Sequence, residues 1–190
     1  MIPSWNNSGV LPPIRPGEAG HSSDRSPYVV KLHRVVEHFA TSSERFDILL
    51  GLLNYRRELH RAGLTRGFQW LDGSFMEQIE VAASRPPEDI DVVSFFYLPD
   101  GVSQIALFAQ HESLFRPVLT KAQFHVDGYP YILGEPMAHH HVKQLAYWYS
   151  LWSHRRTGLW KGFLQVDLSP EEDVEAENVL ALLRQEGGRP

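Results

Sequence analysis

Two aspartates at the start of an apolar run are the residues best suited to chemistry in this sequence. Asp89 and Asp91 alternate with Ile90 and Val92, and the apolar run continues to Leu98. Alternate side chains of a β-strand point to the same face, so a strand here would place both carboxylates on one side. Carboxylates this close repel unless a cation neutralises them, and their hard oxygen atoms suit Mg²⁺ or Mn²⁺. The alternative is a solvated strand edge, but the β-forming residues that follow argue against it.

A glycine–serine pair could hold phosphate. Gly73-Ser74 follows a short strand candidate, Gly67–Leu71. Glycine lets the backbone turn sharply and lets a phosphate approach closely, while the Ser74 hydroxyl and the following amides can donate hydrogen bonds to phosphate oxygens. The pair is weak evidence by itself, because Gly-Ser is common in ordinary turns.

A third aspartate, Asp127, ends a strand predicted over Ala122–Asp127. From a strand beside Asp89 and Asp91 it would complete a cluster of three carboxylates. Such a cluster can hold two metal ions, one that activates an attacking hydroxyl and one that carries a triphosphate. The alternative is a turn residue, because Asp before Gly128 is a favoured turn pair.

Basic, histidine and aromatic residues nearby each have two interpretations. Arg155, Arg156 and Lys161 precede the last predicted strand, where they could bind phosphate or face solvent. Consecutive helical residues point about 100° apart, so the histidines at 139–141 cannot all reach one metal ion, and a solvent-facing helix start is favoured over a zinc site. Aromatic residues at helical spacing favour core packing over base stacking. They are Trp148, Tyr149, Trp152 and Trp160.

Predicted helices and strands interleave along the chain, which indicates an α+β domain with a mixed sheet flanked by helices. Prolines and glycines in residues 1–26 predict an extended N-terminal arm, and residues 27–190 are predicted to form one domain. Two N-terminal helices are expected, one from a Ser26-Pro27 cap and one from a Thr41 capping box to Gly63. The other predicted elements are strands at Gly67–Leu71, Asp89–Leu98, Ala122–Asp127 and Gly162–Leu168, helices at Ser103–Phe115 and Met137–His154, and a C-terminal helix from Ser169-Pro170 to Gly187-Gly188.

Composition narrows the class of protein. The 190 residues are 43% hydrophobic, enough for a core, and the net charge of −5 disfavours a general nucleic-acid coating protein. The absence of cysteine excludes disulfides and thiolate metal sites and fits a reducing cytoplasm. No secretory signal pattern is present, and no apolar stretch reaches the roughly 18 residues of a membrane helix. We therefore expect a cytoplasmic protein with no membrane contact.

The order of these motifs resembles that of the polymerase-beta-like nucleotidyltransferases. The resemblance rests on Leu71-Asp72-Gly73-Ser74-Phe75 after a strand, on Glu88-Asp89-Ile90-Asp91-Val92-Val93, and on the later Asp127. The chain is also similar to a group of small bacterial nucleotidyltransferase-like proteins, through Leu11-Pro12-Pro13, the Asp-Gly-Ser-Phe turn, and the series Trp152, Arg155, Lys161 and Gly162. The similarity spans nearly the whole chain. Two departures are a slightly long segment from Ser74 to Asp89 and a glycine after Asp127.

The resemblance implies a nucleotidyltransferase-like fold and an enzyme that moves a nucleoside monophosphate from a nucleoside triphosphate to a hydroxyl of tRNA, a protein or a small molecule. It implies a role in toxin–antitoxin or phage-defence (antiviral) systems. The implied ligands of Mg²⁺ or Mn²⁺ are Asp89, Asp91 and Asp127, the last also assisting deprotonation. The implied nucleotide-binding residues are Gly73, Ser74, Arg155 and Lys161. Two alternatives stay open: a non-catalytic relative that pairs with a partner protein or with itself, and a metal-dependent phosphodiester hydrolase.

Overall fold

The structure is a computed structural model that describes residues 1–187. Over that range the fold is α+β, as predicted, with a five-stranded mixed sheet, seven α-helices and two short 3₁₀ turns at Ser74–Met76 and Glu112–Leu114. The strands are β1 (Tyr28–Val29), β2 (Gly67–Asp72), β3 (Ile90–Tyr97), β4 (Val126–Leu133) and β5 (Leu164–Asp167). The helices are α1 (Leu32–Phe39), α2 (Ser43–Arg61), α3 (Ile79–Ala83), α4 (Gln104–Gln110), α5 (Pro117–Phe124), α6 (His139–Trp152) and α7 (Pro170–Gly187).

The sheet aligns three aspartates on neighbouring strands. Its strand order is β1-β5-β2-β3-β4, with β3 antiparallel to β2 and parallel to β4. β2 is also antiparallel to β5, and β1 runs parallel to β5 at the sheet edge. In this register Asp91 pairs with Asp72 on one side and with Asp127 on the other. Residues paired across strands share a face, so Asp72, Asp91 and Asp127 form a row, called the aspartate row below.

Apolar side chains cover both faces of the sheet. The larger cluster contains residues of α1, α2, α5 and α7 together with strand residues such as Val92. The smaller cluster includes Val93, which points to the opposite face because side chains alternate along a strand. Trp148 and Trp152 of α6 are buried in this smaller cluster, which confirms the core interpretation for these two aromatics. Trp160 is instead mostly exposed.

The prediction that Ser26-Pro27 caps the first helix is wrong. α1 begins at Leu32, and Tyr28–Val29 forms β1 against β5. The Ser26 hydroxyl accepts a hydrogen bond from the Phe163 amide at 2.8 Å instead of capping a helix. Pairing with a distant strand has therefore overridden the local cap signal.

The cap of the second helix lies one residue beyond the predicted cap. Ser42, not Thr41, caps α2, and its hydroxyl accepts a hydrogen bond from the Arg45 amide at 3.3 Å. α2 ends at Arg61, and Gly63 follows with a φ of 85°. A glycine in this conformation just past a helix confirms the predicted terminator.

The strand predicted over Ala122–Asp127 is wrong in most of its length. α5 occupies Pro117–Phe124, with proline in its first turn, and His125 ends the helix with a φ of 55°. β4 then follows and continues through Pro130. Proline is tolerated there because β4 is an edge strand. Asp127 consequently lies near the start of β4 and not at its end.

Five other elements lie close to their predicted positions: β2, β3, β5, α6 and α7. The helix expected over Ser103–Phe115 is instead split into α4 and a 3₁₀ turn. Gly188, half of the predicted end of α7, and residues 189–190 of the predicted domain lie outside the described residues. Within residues 1–187 no helix combines the length and apolarity needed to span a membrane.

The N-terminal arm is packed on the domain. Residues 1–27 contain no helix or strand beyond an isolated bridge between Ile14 and Arg25. Leu11 is fully buried, and its carbonyl accepts a hydrogen bond from the Gly162 amide at 2.7 Å. The arm therefore touches the segment that precedes β5.

Candidate functional site

The aspartate row lines an open cleft with a volume of about 540 Å³. Its other walls come from the 74–85 segment, from Tyr129, from the end of α6 with Trp148 and Trp152, and from the segment that follows α6. Six of the seven residues predicted for the site line this cleft: Gly73, Ser74, Asp91, Asp127, Arg155 and Lys161. The fold thus gathers residues that are up to 88 positions apart in the chain around one opening.

The Gly73 turn brings the backbone against the carboxylate of Asp91. Gly73 has a φ of 87°, a conformation that favours glycine, and a Cβ at this position would lie 2.6 Å from Asp91 Oδ2. Any other residue would therefore displace the carboxylate. Ser74, the next residue, also lines the cleft.

Asp72 belongs to the cleft, although it is not among the predicted site residues. It is the last residue of β2 and lies directly before the turn. The Lys161 ammonium donates to both Asp72 oxygens at 2.7 Å, and both side chains are almost fully buried. Lys161, predicted to bind nucleotide, therefore lines the cleft with its charge directed at Asp72.

A second ion pair joins the two sides of the cleft. The Arg155 guanidinium contacts Glu77 Oε2 through Nε at 2.8 Å and through Nη2 at 2.6 Å. Glu77 Oε1 also lies 3.5 Å from Lys161 Nζ. Glu77 thereby connects the turn after Gly73 to the segment that carries Arg155 and Lys161. It too is not among the predicted site residues.

Electrostatic repulsion concentrates on Asp91. Burial, followed by the nearby charges of Asp72, Asp89 and Asp127, raises the pKa of its carboxyl to about 7, although the charge of Lys161 opposes this rise. Burial also raises the pKa of Asp72 to about 6, although Lys161 counteracts this rise. A cation beside Asp91 would favour its ionised form.

Asp89 lies apart from the aspartate row. It precedes the first residue of β3, and its carboxylate pairs with Lys121 of α5 at 2.5 Å. It does not line the cleft. The alternation of side chains along the strand was therefore insufficient to place both aspartates in the same opening, because a helix packed against β4 supplies Asp89 with its own cation.

Asp91 and Asp127 are the cleft residues that could contribute ligands to a divalent cation. Among the described residues, no group of three His, Cys, Asp or Glu side chains is close enough to hold an ion alone. Mg²⁺, however, is usually held by one or two carboxylates with phosphate oxygens and water completing its coordination. Asp91 and Asp127, in register on parallel strands beside the turn, supply such a pair. The histidines at 139–141 form no metal group within the described part of the chain.

The sheet and cleft define an α+β domain with an acidic, partly neutralised opening at one end of three neighbouring strands. The chain belongs to a family of unknown function, DUF6932, which matches residues 3–167. The match extends from the N-terminal arm to the end of β5 and so includes the whole sheet and the cleft. Neither the curated proteins nor the solved structures contain a match to this chain.

Proposed function

We propose that the cleft binds a nucleoside triphosphate with Mg²⁺ or Mn²⁺ and transfers its nucleoside monophosphate to an acceptor hydroxyl, releasing pyrophosphate. The observation that carries this proposal is the aspartate row beside the Gly73-Ser74 turn in a single cleft. Carboxylates next to a glycine turn offer ligands for a cation and donors for phosphate within reach of one bound molecule.

A nucleotidyltransferase-like interpretation of the fold belongs to the same proposal. β2 leads into the Gly-Ser turn, antiparallel β3 carries Asp91, and parallel β4 carries Asp127. This order of strands and motifs agrees with the resemblance found in the sequence. The departure lies at Asp89, whose carboxylate is bound by Lys121.

Each cleft residue has a role in the proposed reaction. Asp91 and Asp127 would hold the cation, which when bound offsets the negative charge of the triphosphate and activates the acceptor hydroxyl. Asp127 would accept the acceptor's proton as the acceptor oxygen bonds to the α-phosphorus and the bond to pyrophosphate breaks. The Tyr129 hydroxyl, 3.1 Å from Asp127 Oδ2, orients that carboxylate. The Ser74 hydroxyl would donate to a phosphate oxygen.

Lys161 acts in this proposal through Asp72. Its ammonium neutralises the one member of the row that is almost fully buried, and so limits the repulsion that Asp91 experiences. Arg155 is directed at Glu77 in the same way and would reach a phosphate only by exchanging that partner. Arg156, an exposed residue of the cleft wall, has no carboxylate within ion-pair distance among the described residues and is the more direct phosphate contact.

The test is titration calorimetry of ATP, GTP, CTP and UTP with Mg²⁺ or Mn²⁺. The wild type is compared with Asp91→Asn and with Asp89→Asn, since asparagine keeps the shape of the side chain and removes its charge. The geometry predicts that Asp91→Asn abolishes binding and that Asp89→Asn retains most of it. The family resemblance by itself predicts equal damage from both. No binding of any triphosphate by the wild type with either metal would refute the proposal.

A second candidate function is triphosphate binding without transfer. The observation that favours it is that Lys121 pairs with Asp89 and Lys161 pairs with Asp72. Asp91 and Asp127 are then left to bind metal, and two metal ions would need more ligands than these two carboxylates supply. Incubation with an α-labelled triphosphate separates the candidates. Transfer attaches label to an acceptor and releases pyrophosphate, hydrolysis releases a labelled monophosphate, and binding alone leaves the triphosphate intact.

A further inference from the structure

Three successive peptide groups behind the cleft are held by hydrogen bonds at both ends. The carbonyls of Phe75, Met76 and Glu77 accept bonds from Arg45 Nη1 at 2.7 Å, from Trp5 Nε1 at 2.8 Å and from Arg45 Nη2 at 2.7 Å. The amides that follow these carbonyls are also bonded. The amides of Met76 and Glu77 donate to the carbonyls of residues 73 and 74, and the amide of residue 78 donates to the carbonyl of Gly9.

The donor Arg45 is built into this position. It lies on α2, its side chain is fully buried, and it also contacts Glu80 through Nε at 2.5 Å and Nη2 at 3.0 Å. Its guanidinium packs over the ring of Phe75 and beside the ring of Trp5. A planar guanidinium can satisfy this many acceptors at once, which a lysine ammonium cannot do in the same geometry.

We infer that Arg45 and Trp5 are positioning residues for the turn that binds triphosphate. Neither side chain lines the cleft. By fixing the peptide groups from 75 to 78 they set the place of Ser74 at one end of the turn and of Glu77, the partner of Arg155, at the other. The N-terminal arm is thus a structural part of the site, because it contributes Trp5 and the carbonyl of Gly9. The functional half of this inference rests on the proposed function, whereas the structural half does not.

The experiment compares Arg45→Lys with Arg56→Lys. Arg56 is a matched control because it is also on α2, is fully buried and pairs with a carboxylate, Asp173, but makes no contact with the turn. Hydrogen exchange measured by mass spectrometry reports on residues 73–80, and calorimetry with Mg²⁺ and each of the four nucleoside triphosphates reports on affinity. Thermal melting records the overall loss of stability in each variant.

We expect both lysine variants to lower the melting temperature, but only Arg45→Lys to speed exchange in residues 73–80. We also expect only Arg45→Lys to weaken triphosphate binding, by about tenfold, the effect of losing hydrogen bonds of ordinary net strength. Trp5→Phe keeps the ring and removes the indole N–H, so it should produce the same local exchange with a smaller loss of stability. If Arg45→Lys does not fold, Trp5→Phe still tests whether the turn is held by these hydrogen bonds.

Two results would overturn the inference: unchanged exchange of residues 73–80 in Arg45→Lys and Trp5→Phe, or equal changes in exchange and affinity in the Arg56→Lys control. If the wild type binds no triphosphate, the proposed function fails, and the exchange measurement still decides whether Arg45 and Trp5 hold the turn. Loss of the proposed function and loss of this inference are therefore distinguishable.

Discussion

Replacing Asp91 by asparagine should stabilise the protein at alkaline pH while removing its affinity for triphosphate. Burial and three neighbouring carboxylates raise the pKa of Asp91 from its ordinary value of 3.8 to about 7 in the folded chain. The folded chain therefore binds this proton more tightly than the unfolded chain does. Between these two pKa values stability falls as the pH rises, and above pH 7 the full penalty applies.

The size of the effect follows from the two pKa values. Their difference corresponds to an upper limit of about 4 kcal/mol in the free energy of unfolding. The side chains around Asp91 can relax and titrate together, which reduces the measured value. We therefore expect Asp91→Asn to gain at least about 2 kcal/mol at pH 8 and almost nothing near pH 4, where the wild-type carboxyl is already protonated in the fold.

Urea unfolding of the wild type and Asp91→Asn at a series of pH values measures this difference directly. Both chains share every other titrating group, so their difference reports on Asp91 together with its coupling to the neighbouring carboxylates. Asp100→Asn is the control, because Asp100 is exposed in a loop and its replacement should change stability by less than about 0.5 kcal/mol. Lower stability of Asp91→Asn at pH 8, or a difference from wild type that does not vary with pH, would show that the electrostatic reasoning is incorrect.

Two further substitutions test the surroundings of the aspartate row. Gly73→Ala should lower stability by about 1–3 kcal/mol, because the φ of this residue is 87° and the new Cβ would meet Asp91 Oδ2. It should also weaken triphosphate binding. Unchanged stability in urea unfolding together with unchanged affinity in calorimetry would contradict this prediction. Lys161→Met should lower stability by about 3–5 kcal/mol at pH 8 because it leaves Asp72 buried without a cation. The loss should be smaller at pH 5. The pKa of Asp72 is already about 6 and rises further without the ammonium, so the carboxyl is protonated at pH 5 and needs no cation. An equal loss at both pH values would argue against this account.

Local patterns predicted much of the fold. The run from Ile90 to Tyr97 is rich in β-branched and aromatic residues and forms β3 as expected, and the glycine at 63 follows the end of α2. The prediction fails where local signals compete. The strand predicted from Ala122 overlaps the end of α5, a helix that begins at a proline and packs against β4 and α2.

The site was only partly predictable because strand register is a tertiary property. Asp72 joins Asp91 only because the antiparallel pairing of β2 and β3 sets these two residues opposite each other, and no local pattern specifies that alignment. Asp89 does not line the cleft for a similar reason, since its partner Lys121 lies on α5, a helix whose last residues were predicted to be a strand. Motif spacing therefore selected candidate residues, and packing determines which aspartates line the same cleft.

Asp91 and Asp127 are the members of the aspartate row for which the described residues provide no ion-pair partner. Asp72 has the ammonium of Lys161, and Asp89 has that of Lys121, so each negative charge has a cation from the chain itself. Asp91 has neighbours of its own sign and a carboxyl whose ionised form is disfavoured in the free protein. Ionisable groups with strongly shifted pKa values concentrate at functional sites, where a bound ligand can supply a charge that the free protein lacks. Under the proposed function, a cation that binds with the triphosphate would give Asp91 and Asp127 the positive charge that Lys161 gives Asp72 and Lys121 gives Asp89.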